Sequence, residues 1–374
     1  MWQRWKIPVT VLALLAVSAW LIHKTAASRE WTEFRSDRFW QGVAQVRVSY
    51  LILAAFLIFC SYFLRSLRWR KFLEPIKAAS LINIFSATLI GFSAVALLGR
   101  PGELVRPMLI ARKEKLTLSS QLAAWTLERI FDALTIGMML GVALASFPPA
   151  AGEGGVGPRV LTRLKTAGIL LCAISLVFAA LLAQLRRRSA LLGNILLWLA
   201  RAVPRRHRSG FEKSLAAMLT SFLEGLASID SLPRFGLCTL YSVLVWIPVV
   251  GTYWLVVHGF GWPMSALGLG AVLLLISTSV VGSLAQLPGI GGGPQLAIFF
   301  TLTQLFGIPL EIASTAAILL WFVCFMIVLV PGLLLAAHEG LSWQRLRAIV
   351  KTNVKTGSPG GEHEDVPTLT PDSP

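Results

Sequence analysis

Apolar residues in this chain gather in long blocks rather than alternating or recurring at helical spacing. The blocks fall at about 7–22, 48–64, 81–98, 121–147, 167–185, 234–257, 265–287, 296–306 and 312–336. Several reach the roughly 20 residues that carry a helix across a bilayer. Two of them run into helix-breaking runs. One is Gly99-Arg100-Pro101-Gly102-Glu103-Leu104-Val105-Arg106-Pro107, and the other is Leu287-Pro288-Gly289-Ile290-Gly291-Gly292-Gly293-Pro294. The pattern predicts an all-α, polytopic helical membrane protein.

Composition agrees. Of 374 residues, 55% are hydrophobic and 14% charged, where soluble domains average about a quarter charged. The net charge of +16 resides in the short loops, as the positive-inside rule produces, and no nucleic-acid module is present. The densest basic stretch runs from Arg186 through Arg205, Arg206 and Arg208 to Lys213. It should be cytoplasmic, with Leu191–Ala202 and Phe211–Ile229 as interfacial helices. Basic residues near the N-terminus, at Arg65–Lys77 and at Arg345–Lys351 put those segments on the same side, whereas Val257–Met264 carries no Lys or Arg and should face outward.

These orientations fix a parity. Segment 81–118 must begin and end at the cytoplasmic side, and 265–307 must enter and leave from outside. The expected architecture is therefore about six spanning helices plus two oppositely oriented re-entrant hairpins. Pro101-Gly102 aligns with Pro288-Gly289, the Pro five positions later coincides, and Ala123-Ala124 matches Ala316-Ala317 after a gap. Such a relationship fits an inverted repeat, in which broken segments meet near the membrane midplane to form a substrate site. The transmembrane domain is expected to cover 1–351, with repeat halves at about 48–185 and 234–340 and a linker at about 186–233. The Pro/Gly-rich residues 352–374 should form a disordered cytoplasmic tail.

Irregular backbone at membrane depth survives only inside protein or along a wet cavity, and ionisable groups there are costly. The candidate substrate-binding residues are thus Arg100, Glu103, Arg106, Glu128, Arg129 and Asp132, with Gln286 and Gln295 from the second break. The breaks themselves are Pro101, Gly102, Pro288, Gly289, Gly291, Gly292 and Gly293. Arg100 and Arg106 suit a lipid phosphate or simply snorkel to the interface, and Glu103 is spaced to pair with either. Glu128 and Asp132 share a helical face with Arg129 beside them. Two carboxylates with one Arg imply a local negative excess, fit for a proton, a cation or a lipid amine, unless the three form a salt-bridged lock. Gly137 and Gly141 make a G-x-x-x-G packing face.

In combination, the first break, Glu128-Arg129-Ile130-Phe131-Asp132 and Leu287-Pro288-Gly289-Ile290-Gly291-Gly292-Gly293 resemble the lysylphosphatidylglycerol synthase transmembrane-region family, whose members are called flippase-like domain proteins. The resemblance covers about residues 5–340. It implies a multi-pass protein of the bacterial inner membrane, both termini cytoplasmic, acting on a phospholipid, an aminoacylated lipid, or a polyprenyl- or hopanoid-type lipid. It also carries over Arg100, Glu103, Arg106, Glu128, Arg129 and Asp132 as the site. Two departures stand out. This sequence holds no aminoacyl-transferase domain, so it is not expected to make lysyl-lipid. Many members also place a Glu shortly after the second Pro-Gly, where this chain has Gln295, which weakens the case for a cationic substrate.

Cys60, Cys172, Cys238 and Cys324 stand singly in apolar blocks, the five His are scattered, and no Walker, H-E-x-x-H or G-x-S-x-G motif occurs. No enzyme, cofactor or metal is expected. The leading expectation is a lipid flippase or transporter that moves a polar or anionic headgroup through a cavity between the hairpins. The alternative is a non-transporting partner that recruits a lipid- or glycan-modifying enzyme through the basic linker. Oligomeric state is open.

Overall fold

A computed structural model describes residues 35–147, 158–185, 231–287, 289 and 291–340. The N-terminal block, the interfacial helices expected in the linker, the tail, Pro288 and Ile290 lie outside the described residues. Among the described residues the regular structure is helical apart from one two-residue ladder. In order come α1 (Ser36–Gln45), α2 (Val48–Leu73), α3 (Leu81–Leu98), a 3-10 turn (Arg100–Leu104), α4 (Val105–Glu114), α5 (Leu118–Ala145) and α6 (Pro158–Leu185). Then follow α7 (Leu232–Gly259), α8 (Leu269–Gly282), the strands β1 (Gln286–Leu287) and β2 (Gly291–Gly292), α9 (Gly293–Phe300), α10 (Leu310–Trp321) and α11 (Leu329–His338).

Five stretches are long and apolar enough to cross a membrane: α2, α3, Leu161–Phe178 of α6, α7, and Leu310–His338 through α10 and α11. α5 equals α6 and α7 in length, at 28 residues, but carries Glu128, Arg129 and Asp132. The outer surface is apolar where a soluble protein's would be polar. Ile169, Ile174 and Leu176 on α6 are each at least 60% exposed, and this face suits hydrocarbon rather than water.

The two broken segments fold back on themselves from opposite ends. At the start of α3, Ser80 N–H and Asn83 Nδ2 donate to Glu114 Oε1 at the end of α4, at 3.2 and 2.7 Å. Segment 81–114 therefore begins and ends at one place. The second segment does the same at the far end of α5. There, a Cβ on Gly270 would lie 2.7 Å from Ser146 Oγ, and Phe306 packs on Phe147 at 6.0 Å. At 1.5 Å per residue, α5 separates those two ends by about 42 Å. The α3 arm is about 27 Å long by the same rise.

Local sequence explains each reversal. Gly99 takes φ 68°, which an L side chain resists, and the 3-10 turn follows. Pro107 is tolerated at the third residue of α4, where no intrahelical acceptor exists for an amide. At the second break the backbone makes a hairpin rather than a simple helix kink. Gln286 pairs with Gly292 and Leu287 with Gly291, and Gly289, Gly291 and Gly292 all have positive φ. Small residues let the arms close. A Cβ on Gly91 of α3 would sit 2.6 Å from Arg106 Cβ, and α8 approaches α9 through Gly282 and Gly293. Gly141 of the G-x-x-x-G pattern packs against Gly168 and Cys172 of α6.

One boundary differs from the sequence expectation, with consequences for the site. The apolar block at 48–64 ends before the basic run, which suggested a loop from Arg65. Instead α2 continues to Leu73, with Arg65, Arg68 and Trp69 buried. The helix continues because Arg has high helix propensity and both guanidiniums find buried carboxylates.

Candidate functional site

The site forms where the two breaks meet. Gly289 N–H donates to Ala96 O at 3.0 Å. Arg100 Nε donates to Ser283 O at 3.2 Å and its Nη2 to Ser283 Oγ at 3.4 Å. Backbone dipoles of the second break are thus used to hold the first.

Behind this contact lies a buried charge network centred on α5. Glu128 and Asp132 are one turn apart, at 0% and 5% exposure. Arg68, fully buried on α2, forks across both, reaching Glu128 Oε1 at 2.5 Å and Asp132 Oδ1 at 2.7 Å, and it also donates to Ser242 Oγ of α7 at 3.3 Å. Arg65, one turn earlier, stands 3.5 Å from Asp132 Oδ2 and 3.8 Å from Glu128 Oε1. Arg106 of α4 pairs with Glu128 Oε2, its guanidinium carbon 4.1 Å from the Trp69 ring centroid, a desolvated cation–π contact. Arg129 reaches Asp132 Oδ2 at 3.4 Å, Glu128 Oε2 at 3.6 Å and Glu103 Oε2 at 4.0 Å. Arg100 closes on Glu103 Oε1 at 2.7 Å.

The structure therefore gathers Arg100, Glu103, Arg106, Glu128, Arg129 and Asp132 into one network. Between the two partners its spacing allowed, Glu103 pairs with Arg100, while Arg106 belongs to Glu128. Arg65 and Arg68 are the members that sequence reading missed. They looked like interfacial charges because they stand at the end of an apolar block. Their spacing, three apart and matching the four-residue spacing of Glu128 and Asp132, was the available signal.

With them included, the charge balance reverses. Arg65, Arg68, Arg100, Arg106 and Arg129 face Glu103, Glu128 and Asp132, an excess of positive charge where a local negative excess was expected. Gln295 does not line the cavities beside this network, and the side chain of Gln286 lies outside what the structure describes. Gln286 is in the β1–β2 ladder. Gln295 packs where a Cβ on Gly291 would meet it and Trp321 Nε1.

Two adjoining cavities open onto the network. The first, about 120 Å³, is bounded by Arg100, Glu103, Arg106, Trp125 and Arg129. The second, about 170 Å³, is bounded by Arg65, Asp132, Tyr62, Trp246 and Tyr253. Phe92, Arg129, Ser283 and Phe325 border both. A π-helical turn at Phe322–Met326 shapes the shared wall, and Tyr62 donates its hydroxyl to Cys324 O at 3.0 Å. Turns of this type occur preferentially at functional sites.

Among the described residues, no group of three or more His, Cys, Asp or Glu is placed to hold a metal ion. The arrangement can bind an anion and screen it from hydrocarbon. No curated protein matches the chain. A family model described as the lysylphosphatidylglycerol synthase TM region matches residues 9–332. With that match and five apolar stretches long enough to span a membrane, the chain belongs to that family and is a multi-pass helical membrane protein.

Proposed function

We propose that this protein is a lipid flippase or transporter, passing a polar headgroup between leaflets while the acyl chains stay in the bilayer. The observation that carries the reading is the contact between two chain reversals arriving from opposite ends, with a charged cavity beside it. In transporters such reversals form the substrate site and rock against each other around it. On this reading the reversals are re-entrant hairpins of an inverted repeat.

On this reading the membrane is the bacterial cytoplasmic one, as the family resemblance implies, and loop charge supports placing both termini inside. Transport rather than catalysis is the activity. Without an ATP-binding motif, the energy comes from an ion gradient or from downhill lipid flow. Glu128 and Asp132 are each held by more than one guanidinium, so any proton coupling through them requires an arginine to let go.

The test is a leaflet assay on purified protein in vesicles carrying a fluorescent lipid, with an impermeant quencher outside. Quenching should pass the half of the label exposed at the start, and Arg106→Ala and Asp132→Asn should abolish the gain at equal incorporation. Quenching no greater than in protein-free vesicles would falsify the reading.

A further inference from the structure

The five arginines divide by how completely they are engaged. Arg68 spends both terminal nitrogens on carboxylates and a hydroxyl; its Nε has no hydrogen-bond partner, but the side chain borders neither cavity. Arg100 is tied to Glu103 and to Ser283. Arg65 lies between the rings of Phe92 and Trp246, 5.5 Å from each centroid. These three hold the structure together.

Arg106 and Arg129 are less satisfied. Arg106 is buried and paired through one nitrogen, while its Nη1 has no hydrogen-bond partner and its side chain borders the first cavity. Arg129 makes only ion-pair contacts, at 3.4, 3.6 and 4.0 Å. Its Nε has no hydrogen-bond partner, its side chain is 39% exposed, and it borders both cavities. A guanidinium with donors unused in a desolvated site is costly, and a phosphate matches its fork.

We infer that the cavity selects a lipid with a net anionic headgroup, its phosphate bound between Arg106 Nη1 and Arg129, and that Arg129 carries the phosphate from the first cavity into the second. This rests on the flippase reading and deepens it. The relay follows from the position of Arg129, which has Glu103 on the first-cavity side and Asp132 on the second. Exchanging one carboxylate for the other turns the side chain without unpairing it.

Selection against cations follows from the same contacts. Glu128 is held by Arg68 and Arg106, and Asp132 by Arg68 and Arg65. Glu128 Oε2 lacks a hydrogen bond but is ion-paired with Arg106 and Arg129, so an ammonium would find no carboxylate of the network without a guanidinium and would face five guanidiniums against three acids. The aminoacylated, cationic headgroup suggested by the family description is therefore the one this chain rejects.

The experiment measures binding to the purified full chain in nonionic detergent. The probes are dihexanoyl phosphatidylglycerol, dihexanoyl phosphatidylcholine, its cationic O-ethyl ester, and inorganic phosphate. The anionic lipid should bind at least about tenfold tighter than the zwitterionic one, a difference of a single well-made ionic contact. The cationic ester should not compete. Arg129→Gln should lower anionic-lipid affinity by about tenfold or more without changing the unfolding temperature, and Arg129→Lys should recover part of it.

Equal binding of the anionic and cationic lipids overturns the inference, as does unchanged affinity in Arg129→Gln. Inorganic phosphate binding as tightly as the lipid also overturns it, as an ion site only. If Arg129→Gln does not fold, the four-probe series on the natural chain decides alone. Charge-selective binding without movement in vesicles would refute the flippase reading and keep this one. Equal movement of all three lipids would do the reverse.

Discussion

Arg68 and Glu128 meet at 2.5 Å with neither side chain exposed. This pair ties α2 to α5 inside the membrane domain, and the Arg68 fork continues to Asp132. Removing one member of a buried pair strands the other charge, at a cost of about 3–5 kcal/mol. Arg68→Ala should therefore fail as a folded protein, visible as loss of the monodisperse peak in detergent chromatography. Arg68→Lys should rescue poorly, because an ammonium cannot fork across two carboxylates. A monodisperse Arg68→Ala with unchanged unfolding temperature would show that the pair holds nothing.

Gly91 controls where Arg106 can stand. A methyl there would sit 2.6 Å from Arg106 Cβ and 3.2 Å from its Cα, so α4 has to move away from α3. Overpacking of this kind costs about 1–3 kcal/mol, and here it also pulls Arg106 off Glu128. Gly91→Ala should lower the unfolding temperature and abolish lipid movement together. Gly236→Ala is the control, because a Cβ there meets nothing within 4 Å. It should be neutral or stabilising by up to about 1 kcal/mol through helix propensity.

The membrane class, both breaks and six of the network's residues were legible from sequence, because each violates a strong rule. Long apolar blocks need a membrane, Pro-Gly needs a reversal, and charge within an apolar block needs a partner. Arg65 and Arg68 were legible only through their spacing, since a basic residue at the end of an apolar block looks the same whether the helix stops or continues. The position of α5 beside α2 distinguishes the two. Likewise, the contact of Gly289 with Ala96 is a backbone hydrogen bond between distant segments, and no side-chain pattern announces it.

The contact between Arg100 and Ser283 should act as a clasp over the cavities. Arg100 gives Ser283 two of its donors, so Arg100→Ala removes both while leaving the Gly289 bond intact. In a cysteine-free background, a cysteine at Ser279, which lines the second cavity, reports access. Its reaction with a water-soluble maleimide should speed up severalfold when Arg100→Ala is added. Ser283→Ala should have a smaller effect, because the backbone carbonyl still accepts from Nε. An unchanged labelling rate in Arg100→Ala would mean the breaks are held by backbone alone.

The two reversals should also open to opposite sides of the membrane. Ser265, in the exposed turn before α8, and Arg112, exposed in the last turn of α4, mark the two ends. Loop charge puts the first outside and the second in the cytoplasm. In the same cysteine-free background, Ser265→Cys should react with an impermeant maleimide in intact cells, whereas Arg112→Cys should react only after permeabilisation. Neither substitution touches the charge network, so lipid movement should be retained in both and the topology read on working protein. Labelling of both cysteines from one side would remove the opposed hairpins. The route between leaflets would go with them, because a cavity whose two arms open to the same side cannot alternate access.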